Sequence, residues 1–355
     1  MQKTETQFTA GEFARLVSNF YNERNLAYNF EQINLSADLF NYVANNKERI
    51  LDRKKVAFVW ICLNPPYWQY AKNMIEGARQ FFLPGHDVDY FLWSDMPVND
   101  KDAIKQRLLQ SSKPLEGVSQ EDFMRELEGM AQGIHEIKDK ATVFETEAVE
   151  WPMPTLMRYH LFLQQEEILS QFDYVFYCDV DMQFVNIVGD EILGNGLTAA
   201  LHPGYAVDKK FWPPYEPNEK STSFIPRPGQ IIEDGGKQRF MPQYYAGGMQ
   251  GGRSSDFIKA MKEMRKMIDQ DMSNGYIPIW NDESAWNKYL FEHKPSVVLS
   301  PSYIYPDSLI NEYYIPLWGQ NYQPKLVTLT KKFTTSIEGG NAAQQMVKQM
   351  QGLKR

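Results

Sequence analysis

The stretch Phe172-Asp-Tyr-Val-Phe-Tyr-Cys-Asp-Val-Asp-Met-Gln-Phe184 runs from a short apolar segment into two carboxylates one residue apart. Tyr174 to Cys178 is rich in β-branched and aromatic residues and too short for a core helix, so it reads as a strand buried on both faces. Asp179 and Asp181 stand at its carboxyl end. Residues two apart on an extended chain point to one side, roughly 6.5–7 Å apart, so both carboxylates could face one hard divalent cation and the phosphate oxygens it carries. In open α/β sheets, ligands bind outside the carboxyl ends of strands. A second strand-like run, Gly196–Leu201, fits such a sheet. A bare Asp-x-Asp also occurs as a plain polar loop, and by itself it names no reaction.

Upstream, Val56-Ala-Phe-Val-Trp-Ile-Cys-Leu63 is the first strong strand, followed by a turn at Asn64-Pro65-Pro66. Tyr67, Tyr70, Met74, Ala78 and Phe81 fall on one helical face, with Gly85 closing that helix before a second strand, Val88 to Trp93. A crossover of that length predicts parallel strands joined right-handedly. Residues 98–142 are more charged, with Glu121 to Gly133 helical, and read as an insertion without chemistry of its own. Arg158 to Leu169 forms an amphipathic helix that feeds the Asp-Val-Asp strand. Before all of this, Phe13, Leu16, Phe20 and Tyr21, then Leu39, Phe40, Tyr42 and Val43, make two helical stripes, so residues 1–53 read as a helical appendage whose role is packing.

Downstream, residues 204–252 are irregular and rich in Pro and Gly, long enough to suggest function. Phe257, Met261, Met264 and Ile268 mark a core-facing helix with Ser254 or Ser255 as its N-cap. Asp282 and Glu283 open another helix, paired along Trp286/Leu290 and Ala285/Tyr289. Acidic residues in a first turn complement the helix dipole in any protein. Ser296 to Pro301 is a short strand, and Lys325 to Thr335 runs basic and β-rich toward a polar tail over 336–355.

A chain of 355 residues with 43% hydrophobic and 23% charged residues can bury one large core or two moderate ones. Its net charge of −8, without long basic runs, argues against a nucleic-acid partner. Loop aromatics such as Phe211-Trp212-Pro213-Pro214-Tyr215 either pack against the body or offer flat platforms to sugar rings. Met1 to Leu16 has no apolar core of signal-peptide length, and no window approaches ~20 uninterrupted apolar residues, so no membrane-spanning segment is expected. Cys62 and Cys178 lie inside strands as small hydrophobes, and a reducing cytoplasm is the expected setting.

Four ordered motifs carry a family resemblance: Asp179-Val-Asp181, Leu201-His-Pro-Gly204, Tyr244-Tyr-Ala-Gly-Gly-Met-Gln-Gly-Gly252 and Trp280-Asn-Asp-Glu-Ser284. Asn287-Lys-Tyr289, Lys294-Pro295, Leu299-Ser-Pro301 and Phe82-x-x-Gly85-His86 accompany them. Over roughly residues 55 to 332 the chain resembles glycosyltransferase family 6, the retaining enzymes that include the histo-blood-group transferases and α-1,3-galactosyltransferase. The resemblance implies an α/β fold of the GT-A type, a mixed sheet flanked by helices, with a catalytic domain over 54–335. It implies a uridine diphosphate sugar as donor, a glycan hydroxyl as acceptor, and manganese, or magnesium in its place, held by Asp179 and Asp181 against the diphosphate.

By the same resemblance Val180 joins the donor contacts, and the strand Val59 to Cys62, chiefly Ile61 and Cys62, cradles uracil by its backbone. Arg158 approaches the donor sugar, although an ion pair on an exposed helix is its ordinary role. Asp282 hydrogen-bonds the sugar hydroxyls and Glu283 lies under the anomeric carbon, as covalent nucleophile or as partner of an ion pair. His202, Trp280 and Asn281 face the acceptor with Glu283. Lys331 or Lys332 closes over the diphosphate. Ala246-Gly247-Gly248 lies against C2 of the sugar, and its small residues leave room for an N-acetyl group, which favours N-acetylgalactosamine without excluding galactose.

Departures from the family pattern are Asn281, where His is frequent, and enlarged segments over 98–142 and 226–241. The membrane anchor of mammalian members is not expected here, and the intact aspartate pair, which many bacterial members lack, implies metal dependence. Two other classes compete: a sugar-binding module without turnover, and a metal-dependent phosphohydrolase or nucleotidyltransferase built on the same aspartates.

Overall fold

The computed structural model describes residues 8–26, 28, 33–113, 117–205, 213–226, 243–309 and 323–330. The chain opens with α1 (Ala10–Glu23) and α2 (Ala37–Asn45), and then enters the sheet at β1 (Lys55–Cys62). There follow α3 (Pro65–Phe81), β2 (Asp87–Ser94), α4 (Lys101–Ser111), α5 (Gln120–His135) and β3 (Thr142–Glu145). Three short helices, α6 (Met153–Leu156), α7 (Arg158–Leu163) and α8 (Glu166–Leu169), lead to β4 (Tyr174–Cys178) and β5 (Met182–Phe184). The rest comprises β6 (Leu197–Leu201), β7 (Tyr245–Arg253), α9 (Ser254–Ser273), α10 (Asp282–Glu292), β8 (Val297–Leu299), β9 (Tyr305–Pro306) and β10 (Leu326–Thr328).

Seven strands form one sheet in the order β3-β2-β1-β4-β7-β6-β8, and β5, β10 and β9 form a second. In the large sheet β7 alone runs against its neighbours; β1 is parallel to both β2 and β4, as the crossover length requires. This is the mixed α/β sheet of a GT-A type fold. The apolar runs of β1 and β4 are continuous because both faces are covered. Val56, Phe58, Trp60 and Cys62 enter a core with α3, α4 and α5, while Ala57, Val59 and Ile61 enter a second core with α7, α9 and α10.

Several expectations are corrected. The buried face of α3 is Trp68, Ala71, Met74, Ile75 and Ala78, with Tyr67, Tyr70 and Phe81 only half-buried. Phe82 caps this helix; Gly85, at φ +84°, instead forms a turn close to Gly11 of α1. The charged 98–142 stretch is no bystander, since Ile104, Leu108, Phe123 and Leu127 complete the core beneath β1 and β2. The helix expected over 158–169 breaks in two at Gln164–Gln165. The N-cap of α9 is Arg253, and Ser254 Oγ donates to the Leu169 carbonyl at 2.7 Å instead.

The largest difference is β7, nine residues of which the first eight, all within the stretch that reads as irregular, are buried. Its glycines resemble loop chemistry, yet their function is close approach. A Cβ on Gly251 would stand 2.6 Å from the Val175 carbonyl oxygen, and one on Gly252, at φ +135°, 2.7 Å from Leu197 Cα. Gly251→Ala should therefore lower the unfolding free energy by about 1–3 kcal/mol. Gly129→Ala in α5, where an added methyl meets nothing, should leave it unchanged or raise it. Denaturant midpoints of the two variants check this, and equal midpoints would refute the packing argument.

Candidate active site

The parallel strands direct their carboxyl ends to one edge of the sheet. β1 pairs with β2 along its whole length but with β4 only as far as Val59 opposite Tyr177. Trp60 to Cys62 thus have no strand paired with them on the β4 side, the place between strand ends where open α/β sheets form a ligand crevice. The Ile61 and Cys62 side chains are buried on opposite faces, so only their backbone borders this crevice; the Cys62 carbonyl already accepts from Ser94 Oγ at 2.9 Å.

Asp179 and Asp181 stand in a tight turn between β4 and β5 and not on extended chain, so their common direction does not follow from strand alternation. Asp179 is about one-third exposed, whereas Asp181 is buried and its carbonyl accepts from Leu329 N at 2.9 Å. The Val180 side chain joins the core, leaving its backbone at the site. Among the described residues no group of three or more His, Cys, Asp or Glu could hold a metal. The donor set is two hard carboxylates, a chemistry that suits an ion whose remaining positions go to phosphate oxygens and water.

Arg158, expected on an exposed helix, is only 4% exposed at the start of α7. Its guanidinium reaches three elements: Asp179 Oδ1 after β4 at 3.3 Å, the Gly247 carbonyl on β7 at 3.2 Å, and Asp282 Oδ2 on α10 at 3.0 Å. It also stacks over Tyr177, 4.3 Å from the ring centroid, and the Tyr177 hydroxyl donates to Asp179. Burial works against the charge of Arg158, but Asp282, Tyr177 and Asp179 outweigh it and hold its pKa above the ordinary value.

Burial pushes the Asp282 carboxyl up to about 7, against the pull of Arg158 and with the push of Asp179 and Glu283. Its Oδ2 lies within ion-pair distance of Arg158 but out of line for a hydrogen bond. Glu283 is raised too, again by burial first, while two hydrogen bonds oppose the shift. The Tyr244 hydroxyl donates to Oε1 at 2.7 Å and Gly247 N to Oε2 at 2.6 Å. Asn287 fixes the helix that carries Glu283 to β7: its amide donates to the carbonyls of Tyr245 and Glu283 at 2.8 and 2.9 Å and its oxygen accepts from Tyr245 N at 2.9 Å. Gln250 and Tyr159 complete the support, with Tyr159 Oη donating to Gln250 at 2.8 Å and Gln250 to the Gly247 carbonyl at 3.0 Å.

Gly247 is bare because a Cβ would stand 3.1 Å from that of Glu283. The space beside Gly248 is not open, as the residue sizes suggest: an added Cβ would meet Asp179 Oδ2 at 2.9 Å and Ile304 Cδ1 at 2.8 Å. The Ala246 methyl is buried in the core with Ile304.

On the opposite rim His202, Tyr205, Tyr215 and Tyr244 form an aromatic cluster. Burial lowers the His202 pKa to about 4, and its Nδ1 accepts from Gly204 N at 3.1 Å, so the ring is neutral with its proton on Nε2. Trp280 is 37% exposed, its indole donating to the Pro214 carbonyl at 2.9 Å. Asn281, at φ +50°, is buried with its Oδ1 unpartnered. Buried Glu216 holds the approach to this corner through Tyr276 Oη at 2.6 Å and Ile279 N at 2.7 Å. Lys331, Lys332, Phe211, Trp212 and nearly all of 226–241 lie outside the described residues.

Tyr177, Tyr159, Gln250 and Glu216 were not singled out from the sequence. The signal available was local for Tyr177 alone, which is two residues before Asp179.

Residues 143–317 match the profile of glycosyltransferase family 6. The chain is 29% identical over 246 residues to the Histo-blood group ABO system transferase 1 of Rattus norvegicus, covering 69% of this chain and 59% of that protein. It is 31% identical over 245 residues to the Globoside alpha-1,3-N-acetylgalactosaminyltransferase 1 of Homo sapiens, with 68% and 58% covered. The O-antigen biosynthesis glycosyltransferase WbnI of Escherichia coli is 25% identical over 51% of this chain and 69% of its own. The chain thus spans under two thirds of the length of the first two relatives. Fold and sequence similarity agree on a protein of the GT-A type. The chain belongs to glycosyltransferase family 6.

The raised carboxyls have a consequence for the ligand-free protein. A group whose folded pKa lies above its unfolded value contributes stability that is full below the unfolded pKa and lost as pH rises through the folded one. For Asp282 that window runs from the ordinary 3.8 to about 7. The thermal midpoint of metal-free protein should fall by a few degrees between pH 5 and pH 8, and Asp282→Asn should flatten the slope. An identical slope in that variant would remove Asp282 as its source.

Proposed function

We propose that the chain is a metal-dependent, retaining glycosyltransferase that moves N-acetylgalactosamine or galactose from its uridine diphosphate to a glycan hydroxyl, with α-1,3 the expected linkage. The observation that carries this reading is the Arg158-centred cluster, which gathers Asp179, Asp282 and the Glu283-bearing helix at the carboxyl ends of the strands of a family 6 chain. Relatives named for blood-group and α-1,3-N-acetylgalactosaminyl transfer support the donor class.

Asp179 and Asp181 would hold manganese, with magnesium as the alternative, and the ion would neutralise the diphosphate leaving group. The need is electrostatic. Asp179 and Asp282 share a single guanidinium and Asp181 lies two residues from Asp179, so a diphosphate meets carboxylates that only one fixed positive charge offsets unless a cation accompanies it. Arg158 holds Asp179 and Asp282 in register. Asp282, close to Arg158 but not aligned with it, keeps acceptor capacity for sugar hydroxyls. Glu283 has both oxygens engaged by Tyr244 and Gly247, an arrangement that suits stabilising positive charge at the anomeric carbon more than free nucleophilic attack. On the acceptor side, neutral His202 offers an Nε2 proton to a hydroxyl oxygen, and Trp280 offers an apolar platform.

Turnover against a panel of nucleotide sugars, scoring slow hydrolysis as well as transfer, tests the reading; a protein that binds donors without turning any over would be a sugar-binding module instead. Asp181→Asn or excess EDTA should lower turnover at least ~100-fold, and full activity in EDTA would refute metal dependence. Glu283→Gln should lower kcat with donor KM little changed, because the charge facing the transition state is lost while the Gln oxygen can still accept from Gly247 N.

Donor choice is read from the ratio of kcat/KM for the two sugars. Wild type should prefer the N-acetyl sugar, the donor for which one relative is named. Gly248→Ala should raise the metal requirement with both sugars, since its methyl would meet Asp179 Oδ2 at 2.9 Å. A wild-type preference for galactose would overturn the N-acetyl reading.

A further inference from the structure

Besides the close approach of Gly11 to the Gly85 turn, α1 meets the body at the stretch after β5. Arg15 Nε on α1 bridges Asp190 at 3.0 and 3.1 Å, and Asn19 donates to the same carboxylate at 2.9 Å. His86 Nε2 lies 2.8 Å from it as well, and the Arg15 and His86 contacts overcome burial to hold Asp190 below the usual carboxylate range. Next in sequence, Glu191 accepts from Asn22 of α1 at 2.8 Å, from Tyr303 Oη at 2.8 Å and from Lys325 Nζ at 2.6 Å. Lys325 also donates to Asn22 Oδ1 at 3.2 Å. The Lys325 and Glu191 side chains are only 9% and 18% exposed, so solvent screens the pair weakly.

Lys325 immediately precedes β10, and its carbonyl accepts from Val185 N at 3.0 Å. β10 then pairs antiparallel with β5, Leu326 opposite Phe184 and Thr328 opposite Met182, and its next residue, Leu329, donates to the Asp181 carbonyl. A continuous chain of contacts therefore runs from α1 through Glu191 and Lys325 to the peptide of Asp181. The loop between β4 and β5 has no longer element of its own to stiffen it.

We propose that the N-terminal helices position the Asp179–Asp181 turn: α1 clamps Asp190 and Glu191, and the Glu191–Lys325 pair fixes the β10 strand that holds the Asp181 backbone. Lys325, Glu191 and Asn22 are positioning residues that touch no substrate. The proposal rests on the reading of Asp179 and Asp181 as metal ligands, and it makes the α1 unit part of the transferase site.

The test titrates Mn2+ into the full chain by electron paramagnetic resonance, without donor, and follows amide hydrogen exchange at Leu329. Lys325→Met keeps the apolar stem and should weaken Mn2+ binding about tenfold. It should also speed Leu329 exchange, with kcat at saturating Mn2+ within about twofold. Lys325→Arg should restore both. Asn22→Ala removes the α1 contact to Glu191 and Lys325 without stranding a buried charge and should move both readouts in the same direction by a smaller factor; it decides the matter should Lys325→Met fail to fold. Lys262→Met, which breaks an exposed pair to Glu166 on the far helices, should change neither. Wild-type Mn2+ affinity and Leu329 exchange in Asn22→Ala and Lys325→Met, with only the thermal midpoint lowered, would overturn the proposal. Because the titration needs no donor, failure to turn over any nucleotide sugar would overturn the proposed activity and leave the clamp standing.

Discussion

A guanidinium with 4% of its surface exposed cannot remain in the fold without partners. Arg158 meets that constraint by drawing β4, β7 and α10 to a single point, through Asp179, the Gly247 carbonyl and Asp282. Each partner comes from an element anchored in one of the two cores, so the cluster inherits the rigidity of the sheet. Moving any one of the three elements would leave a buried charge unbalanced, which is why the site geometry and the sheet geometry are one problem.

The glycines of β7 make that convergence sterically feasible. Gly247 admits the Glu283 side chain and Gly248 admits Asp179, on the two sides of one strand. Further along, Gly251 and Gly252 let β4 and β6 approach the same strand. Ordinary β-formers at 247 and 248 would push both carboxylates away, and at 251 and 252 they would force β4 and β6 from the strand.

The same glycines explain what could and could not be read from the sequence. β1 and β4 were legible because strands buried on both faces become unbroken apolar runs, and α9 and α10 because their core residues recur with helical period. β7 was not, since Tyr-Ala-Gly-Gly-Met-Gln-Gly-Gly has the composition of a loop and its strand character comes from neighbours distant in sequence. Asp179, Asp282 and Glu283 were named through family motifs, but no local pattern places Arg158 between them: 21 residues separate it from Asp179, and its partner Asp282 lies on another element. Tyr244 was visible as part of a motif while its role was not, because a hydrogen bond to Glu283 across 39 positions leaves no periodic trace.

The site is also where the fold gives up stability. Asp282 and Glu283 are buried deeply enough to resist ionisation, and Asp179 beside them adds to the resistance. Hydrophobic residues of similar size would pack there at lower cost. What keeps the carboxylates in place is the ion pair with Arg158 for Asp282, and hydrogen bonds from Tyr244 and Gly247 for Glu283. Such a site is relaxed by positive charge more than by any neutral ligand, because a cation near Asp179 offsets the repulsion felt by both neighbours. On the proposed activity, a positively charged centre developing on a sugar bound next to Glu283 would be favoured by the same field, so an arrangement that is costly in the empty protein would be complementary to the charge that glycosyl transfer creates.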